Sequence, residues 1–318
     1  MIKRYSLIAA LVLALLAVTG CGKGNEEAAD LPHFCTQDGS RLLIKQGKVR
    51  MEIMPKVGGR ISSLKYAGHE ILVPIVDLDK VTDWGTVLWS SPQSDWGWPP
   101  IDVLDNKPYR LTTEDDRVVL MSEIDPRTGY QFTKTYRPDG DDRIFIEYRI
   151  TNHSNESKSL APLEVTRLPS SGSLFFPSGD SEISSGLFYP LDVQAVDELT
   201  WFDYDRKKIR TDHHKMMQDG KEGWMAYVDR GYLLVKEFSD SPAGTTAKGE
   251  SEIEIFAHVE HIFIEMKQQA STQTLEPGEH LDWVVVWHVK KLPEDLAENP
   301  TPQALAAYVR SLLGAAAH

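Results

Sequence analysis

The sequence consists largely of short segments of β-type residues, and this pattern constrains the fold more than any other feature. Val49–Met54 and Val118–Met121 are examples from the first half of the chain, and Trp224–Val228 and Trp283–Val289 are examples from the second half. Apolar residues within such segments recur with a period near two, which is typical of strands. Because turn residues separate consecutive segments, antiparallel hairpins are favoured. The sequence therefore predicts an all-β fold, a large antiparallel β-sandwich.

The sequence offers no point at which the chain would divide into separate domains. No linker rich in Pro, Ser or Gly follows Asp30, so residues 41–318 are predicted to form a single domain. Within it, Arg143–Ile150 alternates only in part and is predicted to be a strand covered on both faces.

A short helix is predicted at the C-terminus, at about residues 301–313. Thr301 can cap this helix, Pro302 suits its first turn, and Gly314 can end it. Its apolar residues share one face: Leu305, Tyr308, Val309 and Leu312.

The first twenty residues have the layout of a bacterial secretory signal. Lys3 and Arg4 precede an apolar stretch, Leu7–Val18. A bilayer span needs roughly 20 residues, so cleavage is favoured over a permanent transmembrane helix. Thr19-Gly20-Cys21 resembles the end of the lipobox of bacterial lipoproteins, in which the cysteine is acylated and becomes the first mature residue. The alternative is an ordinary signal with a coincidental cysteine.

Residues 21–40 are predicted to comprise a lipidated Cys21 and a flexible tether. Gly22–Asp30 is small, polar and acidic, and it cannot bury enough apolar surface to order itself. Gly22 directly after the cysteine is similar to the sorting signal of outer-membrane lipoproteins. The expected location is the bacterial cell envelope, with a lipid anchor in the membrane and the outer membrane, facing the periplasm, favoured.

Composition excludes several classes of function. The net charge of −13 and the lack of a basic run longer than Arg206–Lys208 argue against a nucleic-acid partner. Cys35 is the only cysteine after Cys21, so a disulfide framework is excluded. The absence of a Gly-rich phosphate loop, a dinucleotide fingerprint and a Gly-x-Ser-x-Gly elbow argues against nucleotide chemistry and serine hydrolysis. Because no Cys or carboxylate cluster accompanies His213 and His214, neither a metal nor another cofactor is predicted.

The segment Trp84–Pro100 contains four of the chain's eight tryptophans, and its frequent prolines indicate a structured loop. An indole ring offers a flat apolar face with one polar tip, which suits stacking on a sugar ring. Trp89, Trp96 and Trp98 are therefore candidate ligand contacts. The alternative is that these rings close one end of the sandwich.

A second candidate is Arg60, which follows a pair of glycines in Pro55–Ile61 and enters a strand with apolar neighbours. A guanidinium in such a strand needs a partner. That partner is either a structural carboxylate or a substrate oxygen.

The Pro-x-x-Gly-Gly-Arg-Ile pattern at Pro55–Ile61 resembles the opening of galactose-mutarotase-like domains. Later segments agree with this resemblance in order, over roughly residues 42–292. They are similar to an uncharacterised branch of that superfamily, the family of domain of unknown function 4380. These segments are Trp89–Gln93, Trp98–Pro100, Tyr148–Asn152, Ala161–Arg167, Gly223–Tyr227, Leu275–Glu279, Trp283 and Trp287.

This resemblance implies a β-supersandwich with a sugar cleft on one concave face. Aldose epimerases of the superfamily use a histidine as the acid and a glutamate as the base. Glu265 lies where the glutamate falls and is the predicted catalytic base, whereas Arg167 lies in the region of the histidine. Since arginine stays protonated, Arg167 is predicted to bind an oxygen rather than to donate a proton.

The complete set of predicted substrate-binding residues is Arg60, Trp89, Trp96, Trp98, Arg167 and Lys236. Lys236 is included because it interrupts an apolar strand. His258, His261 and His288 are alternative proton donors, although each lies in a strand-like context typical of structural histidines.

The sequence is compatible with three functions. The first is an envelope lipoprotein that binds a carbohydrate, with Arg60 and Arg167 hinting at an acidic sugar. The second is an active sugar epimerase or mutarotase that uses Glu265 as base. The third is a structural envelope lipoprotein with a vestigial cleft.

Overall fold

A computed structural model of the chain describes residues 31–298 and 300–316. The predicted signal at residues 1–20, the lipidation of Cys21 and the tether residues up to Asp30 lie outside this part. Within the described ranges, no helix has both the length and the apolar character needed to cross a bilayer. Most of the described residues belong to two large β-sheets.

The strands alternate with short turns along the whole chain. Those of the first half are β1 (Cys35–Asp38), β2 (Arg41–Gln46), β3 (Val49–Met54), β4 (Arg60–Tyr66), β5 (His69–Glu70), β6 (Thr86–Ser91), β7 (Arg110–Glu114), β8 (Arg117–Met121), β9 (Tyr130–Pro138), β10 (Arg143–Asn152) and β11 (Lys158–Leu168). Those of the second half are β12 (Ser173–Pro177), β13 (Tyr189–Pro190), β14 (Gln194–Val196), β15 (Leu199–Asp203), β16 (His214–Gln218), β17 (Trp224–Asp229), β18 (Tyr232–Phe238), β19 (Ile253–Ala257), β20 (Ile264–Gln269), β21 (Gln273–Leu275) and β22 (His280–Lys291).

Helices are few and short in the described part of the chain. The α-helices are α1 (Asp102–Asp105), α2 (Glu294–Glu298) and α3 (Pro302–Ala316), and single 3₁₀ turns form at Val81–Asp83 and Gln93–Asp95.

The strands form two sheets that pack face to face. Sheet I has the order β1-β2-β3-β4-β6-β11-β20-β19-β16-β13, with β5 beside β4 and β21 beside β11. Sheet II has the order β14-β15-β12-β17-β18-β22-β10-β9-β8-β7. All strand pairs are antiparallel except β13 with β16, which confirms the predicted antiparallel β-sandwich.

The main hydrophobic core lies between the two sheets and draws on both of them. Strand β10 shows why: Ile144 and Ile146 point inward, and the residues between them are half-buried on the outer side. The prediction that this strand is covered on both faces is wrong. The apolar Phe145 suggested burial of the outer face, but its ring is only half-buried there. It packs against the Arg137 side chain, whose guanidinium carbon lies 3.7 Å from the ring centroid.

Helix α3 covers the outer face of sheet II and confirms the predicted C-terminal helix. The Thr301 hydroxyl accepts a hydrogen bond from the Ala304 N–H at 3.3 Å, as a capping residue does. Leu305 and Val309 are fully buried in a second core beneath the helix. Gly314 does not end the helix, which continues to Ala316.

The ordered structure begins earlier than the sequence indicated. Strand β1 lies within residues 21–40, the range predicted as a tether, and pairs along its whole length with β2. Phe34 and Cys35 anchor it because both side chains are buried in the main core. Burial also raises the pKa of the Cys35 thiol to about 11.

Candidate functional site

The candidate site lies on the outward face of sheet I, over the neighbouring strands β6, β11, β20, β19 and β16. Side chains in these strands alternate between the core and this outward face. In β20, Ile264 and Met266 enter the core, whereas Glu265 and Lys267 line a cleft on the other side.

Strand register brings charged residues from distant parts of the sequence together on this face. Lys267 of β20 lies directly opposite Glu254 of β19. The neighbouring row crosses four strands and consists of Lys215, Phe256, Glu265 and Arg167.

Except for Arg167, which lies beneath the others, these residues form the floor of an open cleft with a volume of about 340 Å³. Aromatic rings and polar groups both line it, a combination typical of small-molecule sites. The lining residues are Thr82, Asp83, Trp89, Gln93, Trp98, Phe188, His213, Lys215, Glu254, Phe256, His258, Phe263, Glu265 and Lys267.

The charged groups of the floor form one continuous ion-pair network. Glu265 forms ion pairs with two cations, with Arg167 Nε 3.2 Å from its Oε1 and Lys267 Nζ 2.8 Å from its Oε2. Lys267 also reaches Glu254 at 2.6 Å, and Lys215 reaches the other oxygen of Glu254 at 2.6 Å. The two carboxylates are thus held in fixed positions between three cations.

The network keeps Lys267 and Glu254 charged despite their burial. Burial lowers the pKa of Lys267, but the carboxylates of Glu254 and Glu265 outweigh it and raise this pKa above its ordinary value. In the same way, burial raises the pKa of Glu254, while Lys267 and Lys215 bring it below its ordinary value. At neutral pH Lys267 and Glu254 therefore form a fully charged pair.

Two histidines on the cleft wall have a defined tautomer when neutral. His213 Nδ1 accepts the Val259 N–H at 3.2 Å, and His258 Nδ1 accepts the Glu260 N–H at 3.1 Å. The proton of each neutral ring is therefore on Nε2. Burial and the neighbouring His213 lower the pKa of His258, which favours its neutral form.

The tryptophan loop supplies one wall, but its rings differ in role. Trp98 lines the cleft and is 62% exposed, whereas Trp89 lines it deeper and is 5% exposed. Trp96 does not line the cleft. It packs edge-on against Trp89 with ring centroids 5.4 Å apart, and its Nε1 donates to the Ser90 carbonyl oxygen at 2.8 Å.

Arg167 contacts the site from beneath. It is 1% exposed and pairs with Glu265, with its guanidinium carbon 5.5 Å from the Trp89 ring centroid and 5.7 Å from that of Phe263. Arg167 is therefore not part of the cleft surface, and we revise its predicted role from ligand contact to support of Glu265.

Arg60 also lies outside the cleft. It is fully buried, donates to Asp105 Oδ2 at 2.8 Å, and burial lowers its pKa to about 10. The chain reaches Asp105 this closely because Gly58 has no side chain: a Cβ there would lie 2.0 Å from the Asp105 carbonyl oxygen. Of the two partners proposed for Arg60, the structural carboxylate is the one present.

Asp105 links Arg60 to the cleft. Its Oδ1 accepts the Trp89 indole N–H at 2.9 Å, while its Oδ2 accepts from Arg60. Arg60 thus helps to hold the Trp89 ring in place and does not reach a ligand itself.

Lys236 points into the core between the sheets, on the far side from the cleft. It is fully buried and donates to Glu164 and Thr166, and its Nζ lies 4.4 Å from the Trp287 ring centroid. Lys236 is predicted to bind a ligand because it interrupts an apolar strand. That prediction is wrong: Lys236 forms a buried ion pair with Glu164 on the opposite sheet.

The remaining histidines are mostly distant from the cleft. His288 is buried and hydrogen-bonds Glu237 at 2.8 Å, and His261 Nδ1 lies 2.8 Å from the Tyr204 hydroxyl oxygen. Only His258, among the three alternative proton donors, lines the cleft.

Sequence reasoning missed Glu254, Lys267, Lys215 and Asp83. The first three occupy the polar positions of alternating strands, a pattern that equally describes solvent-facing residues. These residues come together only through the register between strands, which places Lys267 opposite Glu254. The sequence of a single strand does not specify that register.

The fold is a galactose-mutarotase-like β-sandwich, as comparison with solved structures shows. A putative aldose 1-epimerase from Escherichia coli K12 is 14% identical over 79% of this chain and 98% of that chain, with a TM-score of 0.54. A galactose mutarotase-like protein from Lactobacillus casei ATCC 334 is 13% identical over 79% of this chain and 100% of that chain, with a TM-score of 0.55. Slr1438 from Synechocystis sp. PCC 6803 is 13% identical over 83% and 100%, with a TM-score of 0.55.

The chain belongs to the family described as Domain of unknown function (DUF4380), whose model matches residues 40–290. The match confirms the family resemblance drawn from the sequence. No curated protein matches the chain. At 13–14% identity, the likeness to the solved structures shows the fold alone.

Proposed function

We propose that this protein binds a carbohydrate in the cleft of sheet I. One observation carries the proposal: aromatic rings and a row of ion-paired hydrogen-bonding groups line the same cleft. Trp98 offers a ring that is still 62% exposed and available for stacking on a sugar. Glu265 and Lys267 line the same cleft and supply an acceptor and a donor for hydroxyl groups.

The charges of the cleft favour a neutral sugar. The expectation of an acidic sugar rested on Arg60 and Arg167, and each of these is paired with a buried carboxylate, Asp105 and Glu265 respectively. Lys215 and Lys267 are likewise ion-paired with the floor carboxylates Glu254 and Glu265. With Asp83, three carboxylates balance the three cations of the site, so no cation is left free to pair with the carboxylate of an acidic sugar.

The geometry favours binding over turnover. Both oxygens of Glu265 are already engaged by cations, Arg167 and Lys267. A carboxylate held in this way is well placed to accept hydroxyl hydrogen bonds, but taking up a proton would break two ion pairs.

The proposal is tested by calorimetric titration of the soluble domain, residues 31–318, with neutral and acidic mono- and oligosaccharides. We expect saturable binding of a neutral sugar, and weaker binding of its uronic acid. Phe188→Ala should weaken this binding because Phe188 lines the cleft and is 40% exposed. No binding across the panel would contradict the proposed function.

A second candidate function is sugar epimerisation, favoured by the presence of His258 and Glu265 in the same cleft. The neutral His258 carries its proton on Nε2 and can donate it, so an acid and a base are both present. NMR measurement of anomer exchange tests this candidate. Exchange that is catalysed by the wild type and abolished in Glu265→Gln, with sugar affinity kept within a few-fold, would establish it.

We further propose that the protein is a lipoprotein of the bacterial cell envelope, anchored through Cys21, with the outer membrane facing the periplasm as the favoured site. Support comes from the sequence alone: the basic start, the apolar stretch and the lipobox-like Thr19-Gly20-Cys21. Such an anchor would present the sugar cleft in a compartment through which carbohydrates pass.

A further inference from the structure

A second depression adjoins the cleft on the same side of the molecule. Its volume is about 460 Å³, and Asp83 lines both it and the cleft. We call this second depression the groove. It is lined by Val73, Pro74, Val76, Asp77, Lys80, Asp83, Trp84, Pro169, Ser170 and Ile262.

The groove has the character of a binding surface. Its rim exposes apolar side chains to water, Val76 at 95% and the adjacent Leu78 at 51%. Trp84 contributes to the floor and is 1% exposed, and its indole N–H has no hydrogen-bond partner among the described residues. Because that nitrogen is itself buried, the exposed apolar rim is the feature that marks the groove as a binding surface.

Asp83 occupies the junction between the cleft and the groove. It ends the 3₁₀ turn Val81–Asp83, and the Thr82 hydroxyl donates to its Oδ1 at 3.1 Å. Within the described ranges no cation pairs with its carboxylate, so Asp83 retains free acceptor sites. A carboxylate at such a junction can accept hydroxyl hydrogen bonds from sugar rings on either side of it.

We propose that the ligand is an oligosaccharide of at least two rings, one in the cleft and the next in the groove, with Asp83 bonding hydroxyls near the linkage. This inference rests on the proposed sugar-binding function and specifies its ligand class. The cleft alone, at about 340 Å³, suits one pyranose ring, since small-molecule sites span roughly 300–1,000 Å³. The second ring covers the apolar rim at Val76.

The test compares ligands of increasing length on the soluble domain. Glucose, galactose and mannose, with the disaccharides and trisaccharides built from each, are titrated by calorimetry. We expect the best disaccharide to bind about tenfold more tightly than its monosaccharide, a gain of the size that one further set of ring contacts provides.

Two groove variants locate the second ring. Val76→Asp replaces the most exposed apolar side chain of the rim with a charge, and Lys80→Ala removes a hydrogen-bond donor from the groove. Both residues are exposed, so these changes should leave the fold intact. Each is expected to reduce the advantage of the disaccharide to about threefold or less while monosaccharide affinity is unchanged. Ile124→Asp is the matched control, because Ile124 is 45% exposed and lines neither depression.

The outcomes separate this inference from the function on which it rests. Lack of binding to every saccharide would overturn the proposed function and this inference with it. Monosaccharides that bind as tightly as the longer ligands would overturn the oligosaccharide inference alone. A disaccharide advantage that survives in both groove variants would place the second ring elsewhere and also overturn it.

Discussion

Asp105 is the residue on which the architecture behind the cleft depends. It is 2% exposed, and its two carboxylate oxygens hold the Arg60 guanidinium and the Trp89 indole N–H. A buried guanidinium requires such a partner, because an unpaired buried charge costs several kcal/mol. The position of the Trp89 ring in the cleft wall therefore follows from an ion pair that no ligand touches.

Asp105→Asn is expected to lower the free energy of unfolding by about 3–5 kcal/mol, because it leaves Arg60 buried without a counter-charge. Urea denaturation measures this loss. The control is Asp102→Asn in the same helix, which breaks an exposed pair with Lys107 and should cost about 1 kcal/mol or less. Equal losses in the two variants would contradict this account of Asp105.

Lys134 is a second buried cation, and it has no carboxylate partner among the described residues. Its Nζ donates to the Gly58 carbonyl oxygen at 2.7 Å and to that of Gly59 at 3.3 Å. Burial, together with the nearby charge of Arg60, lowers its pKa from 10.5 to about 7. Since the unfolded chain then binds more protons than the folded chain between these two values, stability should rise with pH in that window.

The predicted rise in the free energy of unfolding from about pH 7 to about pH 10 should be flattened in Lys134→Met. Urea denaturation at a series of pH values provides the measurement. Lys45→Met replaces an exposed lysine and should keep the wild-type profile. A rise of the same size in Lys134→Met would show that Lys134 is not its source.

At the scale of elements, β20 shows what can be predicted from the sequence and what cannot. Its alternation indicates a strand, and the resemblance places the predicted catalytic base, Glu265, on it. Glu265 does line the cleft, while its role as a base stays a prediction. Arg60 and Lys236 were misplaced because a charge in an apolar strand points equally well to a ligand or to a buried counter-charge. The deciding residues, Asp105 and Glu164, lie in elements that are distant in sequence.

Helix α3 stabilises the outer face of sheet II through its apolar side. Leu305→Ala is expected to lower the free energy of unfolding by about 2–5 kcal/mol, because Leu305 is fully buried in the second core. Ser311→Ala, on the exposed side, should change it by about 0.5 kcal/mol or less. Chemical denaturation of both variants measures these changes in the free energy of unfolding. A loss below about 1 kcal/mol for Leu305→Ala would mean that α3 is not firmly docked on sheet II.

At the scale of the whole molecule, the sequence predicted the antiparallel sandwich and its closing helix because local alternation and turn residues specify both. The order of strands in each sheet follows from long-range pairing, such as β6 with β11, which local patterns do not encode. The start of the fold was misplaced for a related reason: β1 is ordered by its pairing with β2 rather than by its own composition.

The proposed lipid anchor concerns the whole protein and is tested in bacterial cells. Full-length protein is expected to partition into detergent and to incorporate labelled palmitate, and Cys21→Ser should lose both properties. Cys35→Ser is the control, since Cys35 is a buried core residue. Wild-type protein that remains in the aqueous phase without label would contradict the predicted anchor.

The central claim is that the cleft of sheet I binds a saccharide, and the most direct test is a tryptophan-fluorescence titration of wild type, Trp98→Ala and Tyr189→Ala with the best ligand of the panel. Trp98 lines the cleft, whereas Tyr189 is 51% exposed and lies outside the cleft lining. We predict that Trp98→Ala weakens binding about tenfold through loss of ring stacking, and that Tyr189→Ala leaves it unchanged. Equal affinities in all three proteins would contradict the claim.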